Sequence, residues 1–109
     1  MKLSFTEANL DEIVRRLSAA IDPDRIILFG SRARGDARPD SDFDLLVIKE
    51  SNLKPHLRAI PAYRALSGLA VPTDILWRTP QEIEDWRDVP AHITTQAIRE
   101  GRVVYERPR

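Results

Sequence analysis

The chain has no cysteine, so neither a disulfide framework nor a thiolate metal site is open to it, and nothing in it requires an oxidising compartment. An excess of charge of one sign is missing too. Its 17 basic and 17 acidic side chains cancel to a formal net charge of zero, with a pI near 6.7. No block of like charge forms a polybasic tail, so steering onto nucleic acid is not indicated. Long apolar runs are also lacking. The opening MKLSFTEANLDE turns acidic before a signal peptide could form, and no later stretch has the length of a membrane span. These absences lead us to expect a soluble cytoplasmic protein with no membrane contact and no direct nucleic-acid binding.

What is present is an ordinary globular mixture, 42% apolar and 31% charged over 109 residues, without repeat, linker or low-complexity tract. One domain over 1–109 is the expectation, with little room for an independent second module. Ser4 and Glu7 have the spacing of a capping box, and Phe5, Leu10, Ile13, Val14, Leu17 and Ile21 then recur at helical spacing. Asp22 and Pro23 end that helix. RIILF, residues 25–29, reads as a short buried strand closed by Gly30, and FDLLVI, residues 43–48, as a second strand after a polar turn.

Leu53 to Leu69 reads as mainly helical, with a start or kink expected near Pro61. Val71 to Trp77 resumes strand character, and Pro72 is tolerable only at its entrance or on an edge. Thr79, Pro80 and Glu82 supply an N-cap, an N1 proline and a capping-box acid for a helix over about residues 80–87. A last helix after Pro90 should stop at Gly101 as a C′ residue, before a closing strand or tail at Val103 to Tyr105. This order implies an α/β (α+β) fold, a small sheet with helices packed mainly on one face.

The chemistry is concentrated in GSRARGDARPDSDFDLLV, residues 30–47. It is not a P-loop, because Asp36 and Ala37 stand where the lysine and the hydroxyl residue belong. Nor is it an EF-hand, since a loop beginning at Asp40 would place Leu45 and Ser51 where glycine and glutamate are needed. Side chains of a strand alternate between faces, so Asp42 and Asp44 project together, roughly 6 to 7 Å apart along the strand, while Phe43 and Leu45 face the core. Like charges so close are relieved by a divalent cation, and hard oxygen ligands in small number favour Mg²⁺. Upstream, Gly30 lets a phosphate approach the backbone and Ser31 adds a hydroxyl donor. Arg32 and Arg34 are candidate phosphate ligands, with surface pairing to Asp36 or Asp40 as the alternative. His56 and His92 are read as surface residues, and neither has a companion at zinc-ligand spacing.

Gly30-Ser31, ten residues, then Asp42-x-Asp44 resembles the signature of nucleotidyltransferases of the DNA polymerase beta superfamily. A third family carboxylate on a later strand matches Asp74 in VPTDILW. The longer string resembles in particular the small stand-alone members called minimal nucleotidyltransferases, over nearly the whole chain. The resemblance implies a mixed sheet with helices behind it. It also implies transfer of a nucleoside monophosphate, commonly AMP from ATP, to an acceptor hydroxyl with release of pyrophosphate. By the same resemblance Gly30 and Ser31 would hold the β and γ phosphates, Asp42 and Asp44 would bind two Mg²⁺ ions, and Asp74 would complete the site of the metal that activates the acceptor. Such proteins are typically paired with a small helical HEPN-domain protein, often an RNase toxin, and some neutralise it by attaching AMP to a tyrosine. Two other readings stand beside this one: an antitoxin that neutralises a HEPN partner by binding alone, and transfer to a small molecule of the aminoglycoside kind.

Overall fold

Three residues of the first helix, Leu10, Ile13 and Leu17, are buried at the spacing its pattern predicts. At about 1.5 to 3 kcal/mol for each fully buried large apolar side chain, this face outweighs any capping contribution to the helix. The helix, α1 (Glu7–Ile21), begins later than the Ser4–Glu7 pattern suggests. Thr6 is the N-cap, and its backbone N–H donates to Oδ1 of Asn9 at 2.7 Å. The computed structural model describes residues 4–108. After α1 come β1 (Arg25–Phe29), α2 (Ser31–Arg34), β2 (Phe43–Ile48), α3 (Pro55–Ala65), β3 (Thr73–Arg78), α4 (Pro80–Trp86), α5 (Ile93–Glu100) and β4 (Arg102–Glu106).

The strands form one mixed sheet in the order β3-β2-β1-β4. β1 runs antiparallel to β2 and β4, and β2 runs parallel to β3. One face, carrying Ile26, Leu28, Phe43, Leu45, Val47 and Trp77, packs on α1 and on Ala62 of α3, the two longest helices. The other face carries Ile27, Leu46 and Ile48, covered by Ala97 of α5 and by Ile83 of α4. Cover on both faces explains why RIILF and LLVI are continuous apolar runs rather than alternating ones. On the second face the residues along β2 change from charged to apolar, from Asp44 to Leu46 and Ile48. That switch marks where the helical cover ends and the exposed end of the sheet begins.

α3 starts at Pro55, in the N1 position that suits proline, and runs through Pro61 rather than starting there. The bond lost at Pro61 is the one to the carbonyl of Leu57, an exposed residue, where water can replace it. β3 begins at Thr73, because Pro72 can contribute only its carbonyl, which accepts from Phe43 N–H at 3.1 Å. The Thr79–Glu82 capping box forms as the sequence predicts, with Thr79 N–H on Oε1 of Glu82 at 2.8 Å and Glu82 N–H on Oγ1 of Thr79 at 3.2 Å. Gly101 follows α5, but with φ −81° it is not left-handed. Its requirement is space: a Cβ there would overlap the carbonyl oxygen of Ala97 and Cγ2 of Ile27.

Candidate active site at the open end of the sheet

The hairpin from β1 through α2 to β2 sets Phe29 directly opposite Asp44 in the antiparallel register. The parallel register of β2 and β3 sets Asp44 beside Asp74. Adjacent strands lie about 4.8 Å apart, and paired positions of a parallel ladder project to the same face. Asp42 precedes β2 by one residue, outside the ladder, and its charge acts on Asp44. The fold thus brings the three predicted carboxylates together at one end of the sheet, Asp44 and Asp74 from segments 30 residues apart in sequence. Asp42 and Asp74 are exposed, and Asp44 between them is half-buried.

Burial pushes the Asp44 carboxyl above the usual range, and the negative charges of Asp74 and then Asp42 push it further in the same direction. Arg34 pulls weakly the other way. The centre of the trio is therefore short of positive charge. Among the described residues no three His, Cys, Asp or Glu side chains close into a ready-made metal cage. An open group of carboxylates nevertheless fits Mg²⁺, which is held by one or two protein carboxylates and keeps its other positions for water and substrate phosphate.

Gly30 has φ 73° and ψ −156°, a conformation essentially confined to glycine. It also lies against Asp44: a Cβ at position 30 would overlap Oδ2 of Asp44 and sit 3.1 Å from its Cγ. Backbone and carboxylate are packed together there with no side chain between them. Ser31 is the first residue of α2, and its carbonyl accepts from Gly35 and Asp36 N–H at 3.0 and 3.1 Å.

The two arginines differ. Arg34 is 47% exposed and makes long contacts to Asp36 Oδ2 at 3.4 Å and to Glu100 Oε2 at 3.5 Å, which raise its already high pKa. Arg32 does not make the surface pairing to Asp36 or Asp40 that stood as its alternative: its guanidinium donates to the carbonyls of Ser41 (2.9 and 2.8 Å), Pro39 (3.1 Å) and Phe5 (3.1 Å). It also lies 4.2 Å from the centre of the Phe43 ring.

No local pattern signals the contact of Gly30 with Asp44, the carbonyls that hold Arg32, or Glu100 facing Arg34 across 66 residues. Each depends on how distant segments dock. A recess of about 430 Å³ lies at the opposite end of the sheet, lined by Ile48, Ile83, Pro80 and Pro108. Its charged rim is internally paired, Arg25 with Glu106 and Arg107 with Asp24, so it does not compete as the reactive site. His92 accepts from Thr94 N–H through Nδ1 at 3.2 Å and stacks on Trp86 with ring centroids 3.8 Å apart, a helix-capping arrangement rather than a metal site.

Comparison with known proteins gives one family and a shared fold. Residues 11–109 match the family described as Polymerase beta, Nucleotidyltransferase. No curated protein matches the chain. The fold is similar to that of a provisionally assigned nucleotidyltransferase from Sulfolobus solfataricus, with TM-score 0.66 and 20% identity over 92% of this chain and 79% of that one. It is also similar to a chain of a toxin–antitoxin crystal structure with AMP-PNP, with TM-score 0.62 and 23% identity over 88% of this chain and 72% of that one. At these identities the structural likeness is one of fold.

Proposed function

This chain belongs to the polymerase beta nucleotidyltransferase family, and from that premise we propose that it is a Mg²⁺-dependent enzyme of the minimal nucleotidyltransferase type. It moves a nucleoside monophosphate, AMP from ATP, onto a hydroxyl, and the acceptor is a tyrosine of a HEPN-type toxin for which this protein is the antitoxin. The observation that carries the reading is the pairing of Asp44 with Asp74 across the β2–β3 ladder, with Gly30 packed against Asp44. The fold shared with a toxin–antitoxin chain crystallised with AMP-PNP supports the choice of nucleotide and of partner class.

In this reading Asp42, Asp44 and Asp74 hold two Mg²⁺ ions. Bound there, Mg²⁺ would neutralise triphosphate oxygens and stabilise the entering and leaving oxygens of an in-line displacement. The chain's own groups supply position. Gly30 lets the Asp44 carboxylate lie against the backbone at the point where the triphosphate is received, and the Ser31 hydroxyl donates to triphosphate oxygens. Arg34, exposed and weakly paired, can turn from Glu100 to phosphate. Asp74 stands on the edge strand, accessible to a hydroxyl presented by a second protein, and orients it toward the α-phosphorus. The acceptor oxygen then bonds to that phosphorus as the bond to the β-phosphate oxygen breaks, pyrophosphate leaves, and the hydroxyl proton passes to Asp74. Placing reactants in line and neutralising their charge is most of the work in phosphoryl chemistry.

The test is incubation with ATP labelled at the α-phosphate, Mg²⁺ and the protein encoded by the adjacent gene. Label on a tyrosine of that protein, absent with Asp44→Asn, is the expected result. A stable complex without label would overturn the enzymatic reading.

A further inference from the structure

We infer that Arg32 is a positioning residue for Asp42, fixing the turn that presents this carboxylate rather than touching the nucleotide. The inference rests on the metal-site reading of the carboxylates given above. Asp42 lies outside any strand and is exposed, so the ladder that orients Asp44 and Asp74 does not orient it. Arg32 grips both of its neighbours. On one side the carbonyl of Ser41 takes two donors of the planar fork, from Nε at 2.9 Å and Nη2 at 2.8 Å. On the other side the ring of Phe43, itself buried, lies under the guanidinium at 4.2 Å.

The remaining contacts anchor the fork from outside the turn. Nη2 reaches Pro39 and Nη1 reaches Phe5, each at 3.1 Å, and Phe5 N–H donates to Pro39 at 2.8 Å. Four of the five N–H donors of this side chain are therefore spent on backbone carbonyls. A cation so occupied has little left for a phosphate. Its geometry instead suits a planar, charged, fixed fork, which lysine cannot reproduce. Groups that orient metal ligands in this way matter almost as much as the ligands themselves.

The experiment uses Arg32→Lys, which keeps the charge but loses the planar fork over Phe43. Two readouts separate the possibilities. The first is amide hydrogen exchange at Ser41 and Phe43, whose N–H groups bond to the carbonyls of Arg38 and Pro72. The clamp predicts exchange at least about tenfold faster at these two amides, as expected from loss of hydrogen bonds to a charged group, with Leu45 and Leu46 unchanged. Unchanged exchange at Ser41 and Phe43, or a uniform increase along the sheet, overturns it.

The second readout is Mn²⁺ binding without nucleotide, followed by electron paramagnetic resonance. The clamp predicts binding weaker by about 10- to 100-fold in Arg32→Lys. If Arg32 were a phosphate ligand, Mn²⁺ affinity would be retained and only ATP affinity would fall, which also overturns the inference. A wild-type protein that takes up no Mn²⁺ would count against the metal reading of the carboxylates, while exchange at Ser41 and Phe43 still decides the clamp.

Discussion

Gly30 and Asp44 share a space that admits no side chain at position 30: a Cβ there would overlap Oδ2 of Asp44 and lie 3.1 Å from its Cγ. The backbone is also in the positive-φ region, at 73°. Gly30→Ala therefore meets two penalties, a strained backbone costing about 1 to 3 kcal/mol and a carboxylate forced aside. Urea denaturation is expected to show the loss of stability, and nucleotidyl transfer to fall by more than stability explains, because Asp44 must move.

Asp44 is expected to be a liability to stability and an asset to function. Its folded pKa is raised, by burial first and then by Asp74 and Asp42, so between the ordinary carboxylate value and the raised one the folded state binds more protons than the unfolded state. Stability then falls as pH rises through that window and stays lower above it. Asp44→Asn removes this slope. Without metal at neutral pH, Asp44→Asn is expected to melt higher than wild type, with no transfer activity. A lower melting temperature would contradict the electrostatic description.

Removing the neighbouring charge tests the same coupling from the other side. In Asp74→Asn the Asp44 carboxyl, followed by carbon NMR through a pH titration, should titrate lower than in wild type, because the second-largest cause of its upward shift has gone. Asp74 is exposed on the edge strand, so the fold should tolerate the change. Turnover should fall by on the order of 10² to 10³, the usual size of losing one electrostatic group of a reactive site.

Gly101→Ala probes packing rather than chemistry. The added methyl would overlap the Ala97 carbonyl and the Ile27 side chain at the α5–β1 contact, although φ is ordinary. Overpacking of this kind costs about 1 to 3 kcal/mol, and the expected readout is an earlier urea midpoint with an unchanged Asp44 titration.

Signals within a few residues were the ones the sequence carried plainly. The limits of β1 and β2 and the Thr79–Glu82 capping box are set by side chains next to the backbone they cap or by apolar runs a strand long. The first N-cap was misplaced because Ser4–Glu7 and Thr6–Asn9 offer competing acceptors, and the hydrogen bond from Thr6 N–H to Asn9 decides between them. Gly101 looked like a left-handed terminator because the reason for a glycine, conformation or room, is not written in its neighbours. Alternation predicts Asp42 and Asp44 on one face, but β2 begins at Phe43, so it reaches only Asp44. That Asp74 joins them depends on β2 and β3 pairing in parallel at one register, which no local pattern encodes and which only the family resemblance anticipated. Arg32 beside two glycines and a serine reads as a phosphate ligand. The partners the fold gives it are carbonyls, and carbonyls leave no trace in a sequence.

The central claim is that these carboxylates hold divalent metal beside a nucleotide, and Mn²⁺ titration in the presence of ATP tests it most directly. Electron paramagnetic resonance should show two Mn²⁺ ions bound per wild-type protein with ATP, and their loss in Asp44→Asn despite its intact fold. Equal Mn²⁺ binding by the two proteins, or ATP binding that needs no metal, would contradict the account.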